Sequence, residues 1–95
     1  MSIDETTQQL NSNAASAQRQ RLEHYFHEHG KITTLQAQIK LDIVCPAARV
    51  YELRHIHDLN IVTNWRTDHT AQGKPHRVAE YVLLSGKYNE VHHEL

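Results

Sequence analysis

The sequence has one cysteine in 95 residues, almost no net charge (−1 with histidines neutral) and no long hydrophobic run. Each lack excludes something. Cys45 alone forms no internal disulfide and supports no zinc site built on several cysteines. No stretch approaches the roughly 18 consecutive apolar residues of a membrane span, and Met1–Gln20 holds no apolar core of a signal peptide. There is no glycine-rich phosphate loop and no nucleophile with a base at a recognisable spacing, so neither an enzyme nor a cofactor is expected. The expected setting is the reducing cytoplasm, without a membrane. The length allows one domain with a small core.

The lack of net charge argues against nucleic acid, because DNA binders draw most of their affinity from neutralising phosphates. The average hides an asymmetry. Residues 1–30 carry Asp4, Glu5, Glu23 and Glu28 against Arg19 and Arg21, and Glu90 and Glu94 lie in the last seven residues. Between them, residues 31–88 hold eight Lys and Arg against five Asp and Glu, with four of the nine histidines. The histidines make the total charge sensitive to pH between about 5 and 7.

Residues 2–16 are polar and without period, which predicts a disordered arm over 1–15, with a short dimerising helix as the alternative. A first helix is expected from about Ala14 to His29, capped by Asn13 or Ser16, with Leu22, Tyr25 and Phe26 on one face and Gly30 ending it. Lys31–Thr33 is a short extended link with Ile32 buried. Thr33 or Thr34 then caps a second helix, Leu35 to about Lys40, with Leu35, Ile39 and Ala37 inward. A turn over 41–44 places Asp42 in a left-handed conformation. Cys45-Pro46 opens a third helix with proline at its first position. Val50, Leu53 and Ile56 form its buried stripe, and Leu59-Asn60 closes it, Asn60 being the left-handed residue.

The period then changes to two. Residues 61–66 and 77–84 are expected strands. Between them TDHTAQGKPH, with Gly73 and Pro75, makes a long exposed loop. Ile61, Thr63 and Trp65, or their alternates, form the covered face. Residues 87–95 are expected to be a flexible tail. Three short helices followed by a hairpin across their end is the winged helix-turn-helix arrangement, mainly α with a β-hairpin, over residues 16–86. It turns one face of the third helix outward, sized for a major groove about 12 Å wide.

The stretch GKITTLQAQIKLDIVCPAARVYELRHIHDLNIVTNW, followed by RVAEYVL, resembles the small bacterial and phage helix-turn-helix proteins with the pattern T-L-x-A…L-G-I…S-P-A-A-R-I-x-E-L-R…I-V-T, over about residues 18–84. The third helix and its exit also resemble the recognition helix of leucine-responsive winged-helix regulators. The resemblance implies a DNA-binding fold. Cys45 departs from it where a capping serine is usual, which implies a loss of about 1 kcal/mol. Asp42 stands where glycine is usual. Lys40 falls where the older helix-turn-helix template has a small residue, so a longer turn is expected.

With Val50, Leu53 and Ile56 inward, the outer face holds Ala47, Ala48, Tyr51, Glu52 and His55. The alanines suit thymine methyls, Tyr51 a base edge or phosphate, Glu52 cytosine N4 and His55 a guanine acceptor; the alternative is a solvated face. Arg49 pairs with a carboxylate or holds a phosphate. Arg54 is a phosphate candidate at the flank, and Arg66, Lys74, His76 and Arg77 are candidates in the wing. Thr33 and Thr34 cap a helix and can also meet a phosphate. His24, His27 and His29, with the pairs at 55/57 and 92/93, give only pairs of ligands, so scattered surface histidines are expected rather than a metal site. A redox role for Cys45 at the helix mouth is the lesser alternative. The expected function is transcription regulation through double-stranded DNA, as a homodimer, on tandem sites or with a protein partner. The rival is a winged-helix module that grips another protein, as accessory proteins of phages and mobile elements do.

Overall fold

The computed structural model describes residues 13–88. Residues 1–12 of the expected arm and 89–95 of the expected tail lie outside them. The described chain runs α1 (Ala15–His29), β1 (Lys31–Thr33), α2 (Thr34–Leu41), α3 (Pro46–His55), β2 (Leu59–His69) and β3 (Pro75–Lys87). The strands form one antiparallel sheet in the order β1-β3-β2. The link at Lys31–Thr33 is therefore a third strand, with Ile32 opposite Tyr81.

α1 starts without the expected cap. Ala14 is its N-cap residue and offers no side-chain capping bond. Gln18, which is buried, instead donates its side-chain amide to the Asn13 carbonyl at 2.6 Å. Leu22 and Phe26, four residues apart, carry the buried face. Gly30, at φ +83°, then turns the chain straight into β1 while its N–H bonds the Phe26 carbonyl at 2.8 Å.

Thr33 ends β1 and caps α2. Its hydroxyl accepts from the Gln36 N–H at 3.1 Å, and its own N–H donates to Gln36 Oε1 at 3.0 Å, a reciprocal capping box. Of the three residues expected inward on α2, Ala37 is buried, but Leu35 and Ile39 are exposed, Ile39 at 72%. The spacing forces this. Leu35 and Ile39 share one helical face, and Ala37 lies nearly opposite both. The alanine lets the helix backbone approach the core, and Ile43, beyond left-handed Asp42 (φ 54°), fills the space beside it.

α3 begins with Pro46 after Cys45, whose thiol makes no capping bond. Val50 and Leu53 are buried as expected, but Ile56 is 65% exposed. The helix ends at His55, Ile56 is its C-cap residue, and the stripe has no further turn on which to continue. The left-handed residue is Asp58 (φ 57°), not Asn60. Asn60 already lies in β2, at an irregularity between Leu59 and Ile61, and donates to the Ser85 carbonyl at 2.8 Å.

The hairpin is longer and its loop shorter than expected. β2 and β3 pair out to His69 opposite Pro75, leaving a turn over 70–74. Pro75 is the first residue of its strand, where proline is tolerated. Ile61, Ala79 and Tyr81 join Leu22, Phe26, Ile32, Ile43, Val50 and Leu53 in the core. Trp65, expected on the covered face, lies opposite Ala79 and is 57% exposed.

Candidate nucleic-acid interface

α3 turns Ala47, Tyr51 and His55 outward, one above the other at four-residue spacing. The Tyr51 and His55 rings stack with centroids 4.2 Å apart, and Tyr88, past β3, meets His55 edge-on at 5.5 Å. Ala48 is half-buried. Glu52 does not belong to this face. Its Oε1 lies 2.8 Å from Arg19 Nη1 of α1 and 2.9 Å from Arg49 Nε, and its Oε2 accepts from Arg49 Nη2 at 3.0 Å. One carboxylate therefore ties α1 to α3, and Arg49 takes the carboxylate partner, one of its two expected alternatives.

The other cations separate in the same way. Arg54 donates from Nε to the Ile61 carbonyl at 2.6 Å and from Nη2 to Thr63 Oγ1 at 2.9 Å, fastening α3 to β2, and its guanidinium stands 5.1 Å from the Tyr88 ring. Arg66 is held by Glu80 at 3.1 Å and Asp68 at 3.5 Å. Lys74 sits exposed in the wing turn, and His76 is exposed on β3. Arg77 makes no ion pair among the described residues; its guanidinium lies 4.7 Å from the Trp65 ring centroid. Thr33 spends its hydroxyl on the α2 cap, while Thr34 begins that helix. On α1, His24 pairs with Glu28 and His27 with Glu23, each one turn away. No group of three or more metal-ligating residues occurs among the described residues, and none of their helices is long and apolar enough to cross a membrane.

Over residues 17–86 the chain matches the winged helix-turn-helix domain. It belongs to that family. It matches no curated protein and no solved structure. In this winged helix, α2 and α3 are the helix-turn-helix and β2–β3 the wing.

Sequence reasoning missed three parts of the winged-helix surface. Glu80, buried in mid-strand, anchors Arg66 and accepts from Asn64 Nδ2 at 3.3 Å. Nothing local marks it: it becomes the partner of Asn64 only through the β2–β3 register. Arg19 joins α3 from 33 residues away. The third part is a cleft of about 630 Å³ between the wing and the starts of α2 and α3. Leu35, Val44 and Trp65 line it. The first two are expected as core and turn; Leu35 turns outward because Ala37, nearly opposite it on α2, faces the core, and Val44 is exposed beside buried Ile43.

Proposed function

We propose that this winged helix binds double-stranded DNA and acts as a transcription regulator, with α3 in the major groove and the wing against phosphates. One observation carries the reading: the Ala47–Tyr51–His55 face is left outward beside a wing that offers Lys74, His76 and Arg77. Ala47 suits a thymine methyl, and Tyr51 and His55 suit base edges or a phosphate. Thr34, at the start of α2, points a helix N-terminus toward the same side as the cleft, where a phosphate is favoured. A single small domain covers few base pairs, so specific affinity needs a second copy, tandem sites or a partner.

Fluorescence anisotropy with random duplex fragments at low salt tests this, followed by selection from a random pool. Binding that Tyr51→Ala redirects among sequences supports the reading. A folded protein that binds no duplex at low salt overturns it. The exposed apolar residues Leu35, Ile39 and Val44 favour a second reading, in which the domain grips a protein. A stable partner held in the absence of DNA, and released by Ile39→Glu, is the result that reading requires.

A further inference from the structure

The cleft beside the wing has a lining that DNA does not account for. Leu35, Val44 and Ala47 form its helix side and Trp65 its wing side. A phosphate backbone gains little from such a wall. The volume of about 630 Å³ falls within the range of small-molecule sites, about 300–1,000 Å³, which are mainly apolar with a few orienting polar groups.

Arg77 is the orienting group here. Its guanidinium rests 4.7 Å from the Trp65 ring centroid and has no ion-pair partner among the described residues. An arginine stacked on an indole keeps its in-plane N–H fork for a carboxylate, which it holds with two parallel bonds. Trp65 adds a flat aromatic wall, on which another ring packs well. Asp68, His69 and His76 also line the cleft, and Asp68 lies 3.5 Å from Arg66, which leaves Arg77 as the guanidinium open to an anionic group.

We infer that this cleft binds a planar aromatic carboxylate, its ring between Trp65 and the Leu35–Val44 wall and its carboxylate on Arg77. Arg77 is also one of the wing cations offered to DNA, so ligand and DNA compete for it. This second step rests on the DNA-binding reading; the site itself does not.

The test is an amide-resolved NMR titration of the full chain with 1-naphthoate, with 1-naphthalenemethanol as the uncharged control. The expected result is saturable shifts at the Trp65 indole N–H and at the amides of Leu35, Val44 and Ala47. Arg77→Gln weakens naphthoate about tenfold and leaves the alcohol unchanged. Val44→Asp, at an exposed position that spares the core, removes both. No saturable shift, shifts spread outside the cleft, or an Arg77→Gln protein that binds naphthoate like the parent overturns the site. In the DNA arm, saturating naphthoate weakens duplex binding by the parent and leaves Arg77→Gln unaffected. Unchanged duplex binding by the parent overturns the competition and keeps the site. A parent that takes naphthoate but no duplex overturns the DNA reading alone.

Discussion

Glu52 shows how a single residue changes meaning between sequence and structure. On a helical wheel it faces the groove, ready to accept from a base. In the fold its carboxylate is already engaged by Arg19 and Arg49. Glu52→Gln leaves the fold with weaker links between α1 and α3, a loss of about 1 kcal/mol for a partly exposed pair. It also removes one negative charge and leaves two guanidiniums without a carboxylate. The expected outcome is a lower urea midpoint together with tighter binding to random duplex and a steeper salt dependence. A change of sequence preference at constant overall affinity would instead mean that Glu52 reads a base. Cys45 is the second residue-scale case. It occupies the N-cap of α3 without a capping bond, so Cys45→Ser should supply the missing acceptor and stabilise the domain by about 0.5–1 kcal/mol. Chemical denaturation with an unchanged slope checks it.

At the scale of elements, helix boundaries were legible where one residue type has one local use. Gly30 at the end of α1, the Thr33 cap, left-handed Asp42 and Pro46 at the first position of α3 all lie where local chemistry puts them. The end of α3 and the buried faces were less legible, because they depend on neighbours. Ile56 continues the Val50–Leu53 stripe in sequence, yet α3 stops at His55 so that Asp58 can turn the chain into β2. Leu35 and Ile39 satisfy helical periodicity, but the small Ala37 on the opposite side is the one that approaches the core. The candidate site was legible in outline, as a helix face and a wing, and not in its charges, since Glu80 and Arg19 find their partners only across elements and Glu52 adds Arg19 of α1 to Arg49 of its own helix. Arg54 carries this point to a measurement. Its bonds to Ile61 and Thr63 join α3 to β2, so Arg54→Ala should destabilise by about 1–2 kcal/mol, and Arg54→Lys should recover little because lysine lacks the fork. Duplex affinity should fall while the salt slope stays unchanged. A slope about one unit shallower would show that Arg54 meets a phosphate after all.

For the whole molecule, the question is how a chain of net charge −1 meets a polyanion. Arg19, Arg49 and Arg66 are held by carboxylates, and Arg21 and Arg54 donate to backbone carbonyls. Lys40 lies 6.0 Å from the Tyr25 ring centroid on the helical side, and Lys31, in β1, lines a hollow with Tyr25, Arg66 and Glu80. Lys74 and Arg77 toward the wing tip, and Lys87 at the other end of β3, are thus the β2–β3 cations without a carboxylate partner among the described residues. Two or three phosphate contacts per domain give a salt dependence of log K on log[salt] with a slope of roughly −2 to −3. Anisotropy titrations of a duplex across sodium chloride concentrations measure it directly. So shallow a slope would leave groove contacts by Ala47, Tyr51 and His55, and pairing of domains, to supply the specific affinity. A slope steeper than about −5 would require the Arg19–Glu52–Arg49 and Arg66–Glu80 links to open on DNA, releasing their guanidiniums to phosphate. Repeating the titration with Glu52→Gln separates the two cases: the variant steepens the slope if the links stay closed in the parent, and leaves it unchanged if DNA already opens them.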